Sequence, residues 1–355
     1  MKERIEKVHQ IMEENNLDAL LIDSPVNRYY LSGFTGTSGR LLFTENKDYF
    51  LTDFRYVEQA SEQTDGYEVF EINKNFEVKL DEIIQENGIR RPGFESNAIT
   101  YQQFQKYEEH IEAELIPTVN YIEKLRLIKD QSEVVKIKQA VEISDRAFEH
   151  ILGFIKPGIS EKDIALELEF FQKRLGAEKN AFDFIVASGK RSSLPHGVSS
   201  DKKIEYGDFV TMDFGCFYQG YCSDMTRTIV VGEADEKQKE IYDTVLKAQL
   251  EVIKNIKAGM SCVDVDDIAR SIITDAGYGD NFGHGLGHGI GLEVHEGPRL
   301  SFTSEDILQE GMLVTDEPGI YLPDWGGVRI EDDLLITEDG CEVLNQSAKG
   351  LIIIE

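Results

Sequence analysis

Apolar positions fall at helical spacing from the first turn of the chain. In MKERIEKVHQIMEENN, Ile5, Val8, Ile11 and Met12 share one face among charges, which predicts an amphipathic helix to about Asn16. DALLIDS follows, an apolar run short enough for a buried strand. RLLFTENKDYFLTD reads as a hairpin, while LDEIIQENG and TYQQFQKYEEHIEAE read as helices. Helical and strand patterns thus alternate, as in an α/β module. Between Pro117 and Asp130 the pattern changes. Asp130 and Glu133 have the spacing of a capping box, and QSEVVKIKQAVEISDRAFEHILGFI continues as one long amphipathic helix. A domain boundary placed here gives two domains, 1–122 and 123–355, and 355 residues suit that number.

The second domain repeats itself. IKPGIS at 155–160 and IKAGMS at 256–261 are near copies, each opening a helical segment. EYGDFVTMDFG (205–215) likewise aligns with QEGMLVTDEPG (309–319), setting Gly207 on Gly311, Thr211 on Thr315 and Asp213 on Glu317. The two offsets, 101 and 104 residues, nearly agree. Two homologous halves follow, each a helix pair and then a β-hairpin, related by a pseudo-two-fold axis with an acid facing that axis from either side.

Strand alternation sharpens this. In FVTMDFG, Thr211 and Asp213 point away from Val210, Met212 and Phe214, and in the return strand Asp224, Thr226 and Thr228 share a face. A two-residue turn at Tyr218-Gln219 would set Asp213 opposite Asp224, with Cβ atoms about 4.5–5.5 Å apart, where like charges destabilise the sheet. One protonated acid or an intervening metal would relieve the repulsion. Glu317 and Glu331 repeat the arrangement around the PGIYLPDWGG loop.

Composition then excludes classes of function. A formal charge of −29 argues against nucleic acid and anionic membranes as partners, since both are polyanions. Four cysteines without a C-x-x-C pair fit a reduced compartment. The first helix lacks the apolar centre of a signal peptide, and no apolar run approaches a membrane span. A cytoplasmic protein is expected.

Three of the seven histidines lie in GHGLGHGIGLEVHE, 283–296, where glycine takes every second position from Gly283 to Gly291. Such a segment can be a flexible loop, and any one of the acids can be a solvated surface residue. The coincidence of paired acids on apolar hairpins with this segment between them favours a metal centre. Four converging carboxylates are balanced by two divalent cations, with His288 as the natural imidazole and glycines that let the backbone pass near the ions. Oxygen-rich ligation with a single imidazole suits manganese, with iron, cobalt or zinc as alternatives.

MDFG, SDMTRT, GHGIGLEVHE, EPGIY and VRIED, in this order, resemble the pita-bread metallopeptidases: prolidase, aminopeptidase P and methionine aminopeptidase. NRYYLSGF and FLTDFRYVEQA resemble the smaller domain of the Xaa-Pro peptidases. The resemblance implies a small creatinase-like α/β domain before a pita-bread domain, α/β (α+β) overall. It implies two metals held by Asp213, Asp224, His288, Glu317 and Glu331, with Asp224 and Glu331 bridging. It also implies substrate-handling roles for His196, His284 and His295, and a supporting one for Arg329 behind the ligands. A bridging water of lowered pKa would attack the carbonyl, with Glu317 shuttling the proton to the leaving amine and His284 and His295 donating to the substrate oxygen. The expected activity is Xaa-Pro dipeptidase, with an aminopeptidase acting on longer proline-containing peptides as the alternative and an inactive pita-bread binding module as a remote one. A homodimer is expected from the family. Phe182, Phe184 and Tyr321 are candidates for an apolar pocket.

Overall fold

The computed structural model describes residues 1–72 and 75–355. Two compact units divide it, Met1–Arg126 and Leu127–Glu355.

The first unit is a six-stranded mixed sheet flanked by helices. Its elements are α1 (Lys2–Glu14), β1 (Ala19–Ile22), α2 (Pro25–Ser32), β2 (Arg40–Thr44), β3 (Tyr49–Thr52), α3 (Val57–Gln63), β4 (Glu68–Glu71), α4 (Phe76–Glu86), β5 (Pro92–Glu95), α5 (Tyr101–His110), β6 (Ile116–Thr118) and α6 (Tyr121–Arg126). Strand order is β4-β3-β2-β1-β5-β6. The DALLIDS run is the buried strand β1, parallel to β5 and antiparallel to β2, and β2 with β3 is the expected hairpin. Helix α6 stays with this unit because Ile122 is buried and the Arg126 guanidinium donates to Asn27 Oδ1 at 2.8 Å.

The second unit opens with α7 (Gln131–Leu152), whose N-terminus is closed by the Asp130/Glu133 capping box. Then come α8 (Glu161–Arg174), β7 (Lys179–Asn180), β8 (Ile185–Ser188), β9 (Phe209–Phe214), β10 (Cys216–Tyr218), β11 (Tyr221–Cys222) and β12 (Met225–Val231). The second half follows with α9 (Glu236–Asn255), α10 (Cys262–Asp275), β13 (Gly287–Gly289), β14 (Glu296–Leu300), β15 (Leu313–Asp316), β16 (Gly319–Leu322), β17 (Gly326–Arg329) and β18 (Asp332–Ile336). Strands β19 (Cys341–Val343) and β20 (Ile353–Ile354) end the chain, β20 pairing with β12 and β19 with β18.

The repeat survives as geometry. Ser160 caps α8 and Ser261 caps α10, each accepting from the backbone N–H three residues on. Just before them Gly158 (φ 91°) donates to Ile204 O at 2.9 Å, and Gly259 (φ 87°) donates to Leu308 O at 2.8 Å. The paired strands Leu313–Asp316 and Phe209–Phe214 each follow a glycine in the left-handed region, Gly311 and Gly207. Each helix pair covers its own half: α7 and α8 pack with Val210, Met212 and Ile229, while α9 and α10 pack with Val314, Ile320 and Leu334. The two buried layers leave the polar faces of β9, β12, β15 and the Glu317–Glu331 hairpin available to a site. Among the described residues, no helix is long and apolar enough to cross a membrane.

Candidate metal centre and active site

The first hairpin turns one residue later than the alternation predicts. Tyr218 pairs with Tyr221, so the turn residues are Gln219 and Gly220, both at positive φ (49° and 78°) as a tight hairpin turn demands. Asp213 consequently pairs with Thr226, and Asp224 lies diagonally from it on the same face. The expected direct opposition of Asp213 and Asp224 is therefore wrong by one residue pair. A positive φ that glycine takes easily outweighed the symmetric placement assumed from the strands. In the second hairpin Asp316 pairs with Asp332 and Gly319 with Arg329, so the same register sets Glu317 across from Glu331.

Four of the expected residues converge. One ligand atom from each of Asp224, His288 and Glu331 lies within 4.8 Å of the others. His288 Nε2 is 3.8 Å from Asp224 Oδ2 and 3.6 Å from Glu317 Oε1. Asp213 joins through Arg329, whose Nη2 donates to Asp213 Oδ2 at 2.5 Å. Burial pushes the carboxyls of Asp213, Asp224 and Glu331 up, the last two well above their ordinary range, and neighbouring carboxylates push those two further. Burial likewise lifts Glu317 to about 8.

The histidines divide by environment. Burial holds His288 down to about 4, so it is neutral near pH 7. Its Nδ1 lies 3.0 Å from Gly289 O, which fixes the proton on Nδ1 and leaves the Nε2 lone pair facing two carboxylates. A lone pair turned toward acids is repulsive unless an acid there holds a proton or a cation stands among them. Asp224 Oδ1, buried and without a hydrogen-bond partner among the described residues, says the same. The residues therefore fit divalent metal.

His284 is also held down to about 4 by burial, and its Nδ1 sits 2.7 Å from Gly285 O. Its Nε2 is 3.0 Å from the Tyr321 hydroxyl, which itself accepts from Arg329 Nη1 at 2.8 Å. A neutral ring protonated on Nδ1 must accept there, so Tyr321 donates to His284. The ring of the exposed His295 packs edge-on against His288, with centroids 4.4 Å apart. Its neighbour Glu296 binds Lys129 at 3.4 Å, both side chains being almost wholly buried. His196 is exposed, on a loop where Pro195 O accepts from Arg329 Nη1 at 3.4 Å. Of the pocket candidates, Phe184 belongs to the core, whereas Tyr321 belongs to the site.

Gly287 and Gly289 are required by the closeness of neighbouring strands. A Cβ on Gly287 would stand 2.1 Å from Thr315 O, and one on Gly289 would stand 1.8 Å from Gly297 O. They admit the backbones of β15 and β14, between which β13 is squeezed.

Two residues escaped the sequence reading. Thr226 donates from Oγ1 to Glu331 Oε2 at 2.5 Å and accepts from Arg329 Nε at 3.0 Å. Asp333 accepts from Asp224 N at 3.1 Å. The alternation placed Thr226 on the face of Asp224, which was the available signal; Asp333 gave none.

Comparison with known proteins covers the chain end to end. The model of metallopeptidase family M24 matches residues 135–338, and that of the creatinase/prolidase N-terminal domain matches 4–128. The structure of an Xaa-Pro dipeptidase from Bacillus anthracis is 51% identical, covers 99% of both chains and superposes with a TM-score of 0.97. An X-Pro aminopeptidase from Thermotoga maritima is 41% identical over 96% of this chain and 98% of its own, with a TM-score of 0.91. The Xaa-Pro dipeptidase of Pyrococcus furiosus is 42% identical over 99% of this chain and 100% of its own.

Proposed function

The chain belongs to metallopeptidase family M24, and on that premise we propose that it hydrolyses the peptide bond preceding proline, as an Xaa-Pro dipeptidase. The observation that carries the metal-dependent reading is the unprotonated Nε2 of His288 aimed at buried carboxylates. The choice of bond is supported by full-length relatives named for it.

Asp213, Asp224, His288, Glu317 and Glu331 would hold two divalent cations. Oxygen-dominated ligation with one imidazole suits Mn2+, with Co2+, Zn2+ or Fe2+ also accommodated. Bound cations supply Lewis acidity for the scissile carbonyl and lower the pKa of water toward neutrality. Glu317 would take a proton from the attacking water on a carboxylate oxygen and return it to the leaving proline nitrogen. That nitrogen is tertiary in the substrate and has no N–H for an enzyme to grip. Recognition therefore falls to groups around the carbonyl and the ring. His295 donates to the carbonyl oxygen as charge develops there. His196 closes over the substrate from its exposed loop. His284, occupied by Tyr321, keeps that hydroxyl on Arg329, and Arg329 holds the Asp213 carboxylate in place.

Ala-Pro, Ala-Pro-Ala and Ala-Ala, incubated with the Mn2+-loaded protein before and after chelation, test this. Ala-Pro is cleaved, Ala-Ala is not, and chelation abolishes turnover. Cleavage of the tripeptide alone replaces the dipeptidase with an aminopeptidase. No cleavage of either proline peptide by metal-bound protein refutes both.

A further inference from the structure

Thr226 and Thr228 face the carboxylates, so alternation turns Arg227 to the back of the same strand. Arg227 is 1% exposed and is among the largest fully buried side chains of the chain. A guanidinium carries five N–H groups in a rigid plane, and here the five bonds are all made. Nε donates to Ala348 O (3.2 Å), Nη1 to Thr226 O (2.9 Å) and Glu331 O (2.6 Å), and Nη2 to Asp332 Oδ1 (2.7 Å) and Ser347 O (3.1 Å). Three segments far apart in sequence thus meet on one cation: β12, the Glu331-Asp332 step and residues 347–348. Thr226 O also accepts from Glu331 N at 3.1 Å, closing the contact between the two halves. The C-terminal segment is itself anchored. Asp145 of α7 accepts from Gln346 N and Ser347 N at 2.8 and 2.9 Å, and Tyr242 of α9 donates to Lys349 O at 2.8 Å. Lys349, 3.0 Å from Asp332, and Gln249 complete the polar cluster.

We propose that Arg227 is a positioning residue for the metal centre, fixing the distance between β12, which carries Thr226 and follows directly on Asp224, and the segment that carries Glu331. The inference rests on the metal reading above and adds to it a device outside the ligand set. Lysine cannot substitute, since an ammonium has three donors and no planar fork to span four carbonyls and a carboxylate.

Calorimetric titration with Mn2+ alone, on the full-length protein, tests the proposal alongside thermal unfolding. The wild type takes up Mn2+, and Arg227→Lys, folded by circular dichroism, binds it at least tenfold more weakly. Val245→Ala in the α9 core, also thermally destabilised, keeps wild-type affinity. If Arg227→Lys does not fold, the double variant Arg227→Gln/Asp332→Asn carries the same expectation, because it removes both charges of the fully buried pair together and leaves only the partly exposed Lys349 to water. Wild-type Mn2+ affinity in the Arg227 variant overturns the proposal, as does equal weakening in Val245→Ala. A wild-type protein that binds no Mn2+ overturns the metal reading itself.

Discussion

Glu317 and Thr226 show how single side chains set the chemistry. Glu317→Gln keeps the size of the group and removes its ability to accept a proton. Turnover of Ala-Pro should fall by roughly 10²–10⁴-fold, with an unchanged circular dichroism spectrum. Thr226→Val should cost about 1–3 kcal/mol, because Arg329 Nε loses its acceptor and Glu331 loses a donor inside a buried network. Urea unfolding of the metal-free variant measures that cost; a change within error would show that the neighbouring groups re-pair. Two histidines illustrate the opposite case. His150 stacks on Phe171 and bonds Glu167 at 2.6 Å, and His110 bonds its own helix at Lys106 O, so neither has a part in the site.

Strands and their glycines decide how close the candidate ligands come. Gly289→Ala would drive a methyl into Gly297 O, and overpacking of this kind costs about 1–3 kcal/mol. The expected readout is a lower urea midpoint together with weakened Mn2+ binding, since His288 is the preceding residue. A wild-type midpoint would mean that β14 gives way. The elements themselves were legible. The 3.6-residue spacing yields α1 and α7, the short apolar run yields β1, and the doubled IKPGIS and IKAGMS segments yield paired caps on α8 and α10. Alternation put the acids on the correct faces but could not set register, because one residue in the turn decides every cross-strand pair. Nor could it show that Gly287 and Gly289 are crowded by strands from 297 and 315, contacts made only once the sheet is closed.

At the scale of the molecule, the buried acids link metal, pH and stability. Asp213, Asp224, Glu331, Asp316 and Asp333 all have folded-state pKa values above their ordinary range, chiefly through burial, and Glu317 reaches about 8. A carboxyl raised in the folded state binds more protons there than in the unfolded chain, so its contribution is full at low pH and is lost as pH rises through the folded value. His284 and His288, both lowered to about 4, act oppositely, adding stability as pH rises from about 4 to 6.5. Above that window only the carboxyl effect remains. Metal-stripped protein should therefore lose thermal stability between pH 6.5 and 8 in buffers of constant ionic strength, and saturating Mn2+ should flatten the slope. Differential scanning calorimetry across that range checks it; a melting temperature that climbs with pH in the stripped protein contradicts it.

The unequal gifts of the two halves bear on how such a centre arises. Asp213 and Asp224 come from the first, His288, Glu317 and Glu331 from the second, and the first half has no imidazole at the place where β13 carries one. Two copies of the first half, however well they docked, would crowd acids around their axis and offer no nitrogen to an ion. Either half expressed by itself should therefore fall short of a paired-cation site: the first brings two carboxylates and no nitrogen, the second one imidazole with two carboxylates.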